Sequence, residues 1–360
     1  MLDFTSALYL GLRHASASLR PWAQLTGGMP AALATPALAH AVAGQLANVV
    51  GTERVTLARS TLHAFWDLFV ILATRDTTIY VDGGAYPIAR WGAERAAGRG
   101  VPVRTFAHHD AADLWRRLTR ETSVRRRPLI IVDGLCPGCG ALAPIRDYLE
   151  RAREFGGSLV VDDSQALGIA GHSPGPQAPY GVGGGGSLRW HGVDPAHVVL
   201  ASSLAKGFGV PMAMLGGCAT AIARLEAESA TRVHCSPPSF ADLHAAERAL
   251  QVNHLSGDAL RLRLARLVRR FRAGLRELDL SIGRSLFPVQ SLAPGRMVEA
   301  RALHRRLLGL GVRGVLQRSA CGAGATVSFL ITAGHTAASI DRAVEAVATS
   351  VRAVVAGDHR

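Results

Sequence analysis

Lysine is almost absent from this sequence. Of its 40 Lys and Arg residues, Lys206 alone is a lysine. An arginine side chain stays protonated in proteins, whereas a lysine amine can lose its proton and attack a carbonyl carbon. Lys206 lies in a short, glycine-rich turn between two apolar runs, 198–201 and 212–215, where a stray surface charge is not expected. We therefore predict a chemical role for this amine.

Cysteine is scarce as well, with five residues in a chain of 360. An odd number in a chain of this length argues against a disulfide framework. Cys136 and Cys139 have the spacing of half a redox or zinc site, but no second cysteine pair completes it. We expect a tight Pro-Gly turn there and no metal, and we expect His108 and His109 to cap or hydrogen-bond locally.

Long apolar runs are also missing. None approaches the ~20 residues that a membrane-spanning helix needs, and the amino-terminal residues do not have the pattern of a secretory signal. With 48% hydrophobic and 19% charged residues, the composition is that of a globular enzyme. We expect a cytoplasmic protein with no membrane partner.

The strongest bias in what is present is a net charge of +13. Such a charge is compatible with nucleic acid, a membrane surface or an anionic substrate. The richest run, 261–276, places its arginines between apolar residues at helical spacing, which is typical of the solvated face of an amphipathic helix. We predict no nucleic-acid partner, and a phosphorylated partner such as coenzyme A, or an acidic carrier protein, fits the charge.

A carboxylate motif precedes Lys206 by about forty residues. The apolar run 158–161 ends in Asp162 and Asp163, and carboxylates at the carboxyl end of a buried parallel strand point into a ligand crevice. Pyridoxal phosphate chemistry requires such a pair: a lysine forms the Schiff base, and a carboxylate keeps the pyridine nitrogen protonated. The two residues together predict this cofactor.

The motifs at 161–168 and 203–209 resemble those of the α-oxoamine synthases, a branch of the fold type I, aspartate aminotransferase-like enzymes. Residues 2–11 are similar to the opening of the same family. The resemblance implies an α/β fold with a large, mostly parallel-sheet domain and a smaller carboxyl-terminal α/β domain. The predicted division is an amino-terminal segment, a cofactor-binding domain, and a small domain with its linking helices, at 1–34, 35–238 and 239–360.

The resemblance assigns further residues to the cofactor pocket. Ser203 aligns with a hydroxyl group that donates to the cofactor phosphate in relatives. The turn of Ser60 and Thr61 aligns with one whose backbone N-H groups hold the same phosphate at a helix N-terminus, and both side chains can still cap and donate. A plain helix N-cap explains that turn equally well. Tyr86 aligns with a histidine that stacks on the pyridine ring, with a core tyrosine as the alternative. Ser236 aligns with hydroxyl groups that reach the phosphate of a neighbouring subunit, which implies a homodimer.

The chain departs from the family on the substrate side. Gln165 stands where relatives have a histidine that assists acid catalysis, and an amide donates a hydrogen bond without changing protonation. Relatives bind the substrate carboxylate through an arginine that aligns with Leu316 here. Arg318, two residues away, is the candidate for that role. Gln165 and Lys206 are the predicted catalytic residues.

The reaction implied by the resemblance joins an amino acid to an acyl thioester, carried by coenzyme A or a carrier protein, with loss of the amino acid carboxylate. An aminotransferase or an aldol-type lyase needs the same lysine and aspartate, and both remain open. A regulator built on this fold is disfavoured, because the family's opening motif begins at the second residue and we expect no DNA-binding domain before it.

The remaining sequence supports coarser expectations. Residues 171–192 are rich in Gly and Pro, which is typical of a flexible substrate-side loop or a solvated linker. From Ser239 onward the apolar spacing predicts a long helix pair. A small α/β unit follows it, with strands at 287–292, 312–317 and 326–331.

Overall fold

The computed structural model of the chain describes residues 1–120, 126–280, 283, 285–293, 295–318 and 324–357. Its helices are α1 (Ala37–Val50), α2 (Thr61–Leu72), α3 (Pro87–Ala97), α4 (Ala111–Arg120), α5 (Ile145–Glu154), α6 (Ser187–His191), α7 (Ala219–Glu228), α8 (Ala230–His234), α9 (Phe240–Arg276), α10 (Met297–Gly309) and α11 (Ala337–Gly357). Its strands are β1 (Leu2–Asp3), β2 (Arg54–Ala58), β3 (Thr77–Asp82), β4 (Val103–Phe106), β5 (Arg127–Asp133), β6 (Ser158–Asp162), β7 (Val198–Ser203), β8 (Ala213–Gly217), β9 (Val289–Ser291), β10 (Val312–Arg313), β11 (Val315–Arg318) and β12 (Ala325–Leu330).

Seven strands form the central sheet, in the order β2-β8-β7-β6-β5-β3-β4. The strands run parallel except β8, which is antiparallel to β2 and β7. The predicted α/β fold with a mostly parallel sheet is therefore confirmed. The glycine-rich turn that carries Lys206 connects the antiparallel strands β7 and β8.

The central strands are apolar throughout because helices cover both faces of the sheet. Side chains alternate along a strand, so Ile130 and Val132 of β5 point into the core under α1, α4 and α5. Ile131 of β5 and Val160 of β6 point into the opposite core, under α2 and α3. This three-layer packing fixes the strand register, and with it the position of every residue at the strand ends.

The long helix α9 corrects the expectation of a helix pair. Residues 240–276 form one continuous helix of 37 residues, started by a capping box between Ser239 and Asp242. Its first half contributes Leu243 to the core of the large sheet, and its second half contributes Phe271 to the carboxyl-terminal core. One continuous helix therefore spans both units. Its apolar face packs first against the large sheet and then against the carboxyl-terminal core.

The carboxyl-terminal unit contains a three-stranded antiparallel sheet in the order β11-β12-β9. The strand predicted at 312–317 is divided at Gly314 into β10 and β11. A Cβ atom at Gly314 would lie 3.0 Å from Val327 Cγ1 and 3.1 Å from the carbonyl oxygen of Ser328, so the division falls where the backbone lies close to β12. The division of the chain at 238/239 stays a prediction.

The amino-terminal residues pack on this carboxyl-terminal unit. β1 pairs in parallel with β10, and the ring of Phe4 stacks on His335 with centroids 4.4 Å apart. The backbone N-H of Ala333 donates to the carbonyl oxygen of Tyr9 at 2.8 Å. The first ten residues are therefore held by residues more than 300 positions later in the sequence.

Residues 171–192 are folded onto α9, so the expectation of a solvated linker is wrong. The N-H of Gly183 donates to Asp258 Oδ1 at 2.9 Å, and Asn253 Nδ2 donates to the Gly183 carbonyl at 3.0 Å. Gly186 N-H donates to the Ala170 carbonyl at 2.7 Å. These bonds hold the glycine-rich segment against the cofactor motif.

Among the residues that the structure describes, none of the helices combines the length and apolar character needed to cross a bilayer.

Candidate active site

Four strand ends meet at one edge of the central sheet. Because β3, β5, β6 and β7 are parallel neighbours, their carboxyl ends place Asp82, Asp133, Asp162 and Ser203 along this edge. Each of the three carboxylates is at most 6% exposed. Burying a row of carboxylates is unfavourable unless hydrogen bonds or cations stabilise them, so such partners are expected at this edge.

Lys206 follows β7 in the turn that leads to β8, between the buried side chains of Leu204 and Phe208. Burial lowers the pKa of its amine, and attraction to Asp162 and Asp133 opposes that shift. The neutral, nucleophilic form of the amine is therefore more populated than it is on a surface lysine. The predicted partnership of Lys206 with Asp162 is consistent with this electrostatic interaction.

Asp162 and Asp133 lie side by side in register on adjacent strands. Burial raises the pKa of Asp162. Burial, and then repulsion from Asp162, raise the pKa of Asp133 well above its usual range. Two carboxylates this close favour a shared proton or an added cation, and Lys206 supplies part of that positive charge.

Ser164, which is not among the predicted site residues, connects Asp162 to the strand end before Lys206. Its N-H donates to Asp162 Oδ1 at 3.0 Å, and its Oγ accepts the N-H of Ser203 at 2.9 Å. Ser203 Oγ in turn accepts the N-H of Ala205 at 3.2 Å. The available signal was a departure from the family pattern, which has alanine at position 164.

Gln165 is held by a residue from the far end of the sequence. The hydroxyl of Tyr9 donates to Gln165 Oε1 at 2.7 Å. Tyr9 is 1% exposed, and burial raises its pKa, so the hydroxyl remains a donor at neutral pH. With its oxygen engaged, Gln165 presents its amide NH2 as a fixed donor. Tyr9 belongs to the family's opening motif, but 156 positions separate the two residues.

Tyr86 stands at the amino-terminal end of α3 and is 46% exposed, so the alternative of a core tyrosine is wrong. Its backbone N-H donates to Asp133 Oδ1 at 3.1 Å. Lys206 Nζ lies 5.9 Å from the centre of its ring. The ring therefore faces the same space as the lysine amine, and stacking on a cofactor stays a prediction.

Ser60 is the N-cap of α2, and its Oγ accepts the N-H of His63 at 3.5 Å. The same oxygen lies 2.8 Å from His63 Nδ1. Thr61 is the first residue of the helix. Ser60 therefore acts as a helix N-cap in this structure. The helix N-terminus remains suited to binding an anion such as a phosphate group.

The last two predicted residues are on other elements than Lys206. Ser236 lines a small cavity with Arg59, His63 and Arg232. Arg318 is exposed at the end of β11, and residues 319–323 beyond it lie outside the described part of the chain. Both roles stay predictions.

The residues around Lys206 fit pyridoxal phosphate. Asp162 is a buried carboxylate that a protonated ring nitrogen would stabilise, and Lys206 is an amine whose pKa is lowered by burial. Tyr86 offers a ring face beside the amine, and Ser203 offers a hydroxyl group on the same sheet edge. No group in this arrangement conflicts with the cofactor's charges.

Comparisons with known proteins agree with this chemistry. A family model for aminotransferase class I and II matches residues 23–347. The 8-amino-7-oxononanoate synthase of Alkalilimnicola ehrlichii is 30% identical over 308 residues, which are 84% of this chain and 74% of that protein. The enzyme of the same name from Thioalkalivibrio sulfidiphilus is 31% identical over 256 residues, 70% of this chain and 62% of that protein.

The fold is also that of a solved relative. A structure of serine palmitoyltransferase with pyridoxal phosphate superposes on this chain with a TM-score of 0.85 at 18% identity. The superposition covers 98% of this chain and 87% of the serine palmitoyltransferase chain. The family match, the 30% relative and the lysine-aspartate geometry lead to one conclusion. The chain belongs to the aminotransferase class I and II family and, within it, to the α-oxoamine synthases, which are fold type I enzymes dependent on pyridoxal phosphate.

Proposed function

We propose that this protein is an acyltransferase that joins an amino acid to an acyl thioester and releases carbon dioxide and the free thiol. The observation that carries the proposal is the half-buried Lys206, whose pKa is lowered by burial while it interacts with Asp162 and Asp133. An amine in that state can act as a nucleophile and later as a proton carrier near neutral pH. The similarity to 8-amino-7-oxononanoate synthases and to serine palmitoyltransferase supports the choice of reaction.

The chain's own residues divide the work around the cofactor. When bound, pyridoxal phosphate supplies an electron sink for the pair left at the amino acid's α-carbon. Lys206 holds the cofactor and moves the α-proton through Nζ. Asp162 keeps the ring nitrogen protonated, since a buried carboxylate stabilises a cation beside it. Ser203, Ser60 and Thr61 hold the phosphate group.

Gln165 orients rather than titrates. Its amide NH2, fixed by the hydrogen bond from Tyr9, donates to an oxygen on the cofactor or substrate. It cannot deliver a proton to a departing group at neutral pH. We therefore assign proton delivery to Lys206, and we assign the substrate carboxylate to Arg318, which is exposed and carries a fixed positive charge.

A product assay tests the reaction. The purified holoenzyme is incubated with a panel of amino acids and acyl thioesters, while free thiol and aminoketone are measured together. We expect thiol and aminoketone in equal amounts, because one carbon-carbon bond forms for each thioester broken. Formation of a keto acid or an aldehyde with no thiol would instead identify an aminotransferase or an aldol-type lyase.

The cofactor site is tested separately. Lys206→Ala should abolish the absorbance band of pyridoxal phosphate attached to the protein, and borohydride should then fix no cofactor to the chain. Ser203→Ala is the matched control on the same turn: it should retain the band and bind the cofactor more weakly. A band that persists in Lys206→Ala would show that the lysine is wrongly assigned.

We further propose that the protein works as a homodimer with Ser236 reaching the partner's cofactor phosphate. Leu62 and Trp66 on α2 and Trp91 on α3 are between 42% and 53% exposed, which gives these helices an apolar outer surface. Trp91→Glu should convert a dimer to a monomer in sedimentation velocity. Trp115→Glu, at a 43% exposed tryptophan on α4, is the control and should leave the dimer intact. A wild-type protein that sediments as a monomer would end this proposal.

A further inference from the structure

Two loops lie beside the sheet edge that carries Asp82, Asp133, Asp162 and Ser203, which we call the cofactor edge. They bring together side chains that could ligate a metal ion and that the proposed reaction does not use. His108 and His109 follow β4, and Cys139 follows β5. One ligand atom from each lies within 4.8 Å of the other two. The two loops flank the end of β3, so residues 31 positions apart converge over Asp82.

The spacing matches a metal site. His108 Nε2 and Cys139 Sγ are 3.6 Å apart. For zinc bound at 2.3 Å to sulfur and 2.0–2.1 Å to nitrogen at a tetrahedral angle, the two ligand atoms lie about 3.6 Å apart. No large side-chain movement is required for this pair to share an ion.

His108 already has the orientation of a zinc ligand. Its Nδ1 lies 2.6 Å from Asp82 Oδ1, and Asp82 is 1% exposed. A carboxylate that accepts from one ring nitrogen fixes the other nitrogen toward the metal, which is the usual support of a metal-bound histidine. Asp82 also accepts the backbone N-H of His109 at 2.9 Å, so one carboxylate positions both histidines.

His109 is the second observation that points to a ligand. Its Nε2 is buried and has no hydrogen-bond partner among the described residues. Its φ of 55° is in the left-handed region, which is uncommon for a residue other than glycine. The ring packs on His108 with centroids 3.8 Å apart. A buried imidazole nitrogen without a partner is unfavourable, and a metal ion bound through this nitrogen would satisfy it.

We propose that His108, His109 and Cys139 bind a zinc ion, with Asp82 as the carboxylate behind His108. One thiolate and two imidazoles suit zinc and not magnesium or calcium, which prefer oxygen ligands. Three protein ligands leave the fourth tetrahedral position for water, and the exposed Cys139 provides access for the ion. The missing half of the cysteine motif is thus supplied by imidazoles from another loop.

The ion would act as a brace for the cofactor edge. It would join the loop after β4 to the loop after β5, and Asp82 lies at the end of β3 between them. Tyr86 follows Asp82 by four residues and is tied to Asp133 through its backbone N-H. Zinc therefore fixes the segment that carries the ring facing Lys206 without touching the reacting atoms.

Direct metal measurement tests the proposal. Untagged holoenzyme, grown with zinc, is passed over a desalting column and its metal content is measured by mass spectrometry. We expect one zinc per chain. Cobalt added to the metal-stripped holoenzyme should produce the visible bands of tetrahedral coordination and a thiolate-to-cobalt charge-transfer band.

Variants separate the site from adventitious binding. Cys139→Ser, at an exposed position, should remove the charge-transfer band and weaken zinc binding by more than the roughly 10–100-fold effect of Asp82→Asn. Cys218→Ser on the far side of the sheet is the matched control and should bind zinc as the wild type does. Less than stoichiometric zinc in the wild type, a Cys136-Cys139 disulfide in its place, or equal affinity in both cysteine variants would each overturn the proposal.

Discussion

Arg261 makes the most quantitative prediction. This arginine of α9 is 2% exposed, and its Nη1 donates to the carbonyl of Gly168 at 2.9 Å and to Asn253 Oδ1 at 2.8 Å. Its Nη2 pairs with Asp258 Oδ1 at 2.7 Å. Gly168 is the last residue of the motif at 161–168, which includes Asp162. One guanidinium group therefore connects this motif to the long helix α9.

Arg261→Met keeps most of the side-chain volume and removes the donors. A buried oxygen left without a partner costs about 1–3 kcal/mol, and two such oxygens lose their donor here. Asp258 is 57% exposed, so water replaces its lost partner and the pair contributes at most about 1 kcal/mol. Removing a buried charge offsets part of the loss. We expect the free energy of unfolding to fall by about 2–4 kcal/mol.

Equilibrium urea unfolding of the holoenzyme, followed by circular dichroism, measures this change. Arg270→Met is the matched control, because Arg270 lies on the same helix and pairs with Asp341 at the surface. The control should lose much less, because solvent screens a surface ion pair. If Arg261→Met is no less stable than Arg270→Met, the buried hydrogen bonds do not hold the motif as argued.

Three further predictions concern single positions. Tyr9→Phe removes the hydrogen-bond donor to Gln165. It should lower kcat/KM for thiol release by about 5–30-fold, which corresponds to about 1–2 kcal/mol, and leave the cofactor affinity unchanged. An unaltered rate would mean that Gln165 needs no fixed orientation. Burial raises the pKa of Asp163 to about 6. Its protonation therefore stabilises the fold fully below pH ~4, and this contribution is lost as pH rises through 6. Relative to Asp163→Asn, the wild type should lose about 2–2.5 kcal/mol of unfolding free energy between pH 4 and 7, and a constant difference would contradict the shift. Gly44→Ala, inside α1 with nothing within 4 Å of the added methyl group, should stabilise the protein by about 0.5–1 kcal/mol in the same urea assay, whereas a loss would show a clash that the helix packing does not contain.

The strands and the central pair of site residues were predictable because their causes are local. A strand covered on both faces is a continuous apolar run, so β5, β6 and β7 are visible in the sequence. Lys206 and Asp162 stand out because an isolated lysine and a strand-end carboxylate need a chemical reason. Parallel pairing then brings them to one edge.

The rest depends on contacts between distant residues. No local pattern indicates that Tyr9 meets Gln165, or that Cys139 meets His108, because these pairs are set by how the sheet edge folds together.

The continuity of the helix α9 was not predicted, for a different reason. The apolar stripe of α9 changes partners between two cores, and the spacing alone suggests a break where only the partner changes.

The docking of the first strand has a consequence for synthesis on the ribosome. β1 pairs with β10, and Phe4 accepts a hydrogen bond from Leu330. At about 5–20 residues per second, roughly 15–65 s pass between the emergence of these partners. β1 must therefore wait for β10 before it can pair. Since Tyr9 follows β1 closely, Gln165 gains its hydroxyl partner only after residues 312–333 have been synthesised, and a chain stalled before residue 312 carries an unfinished site.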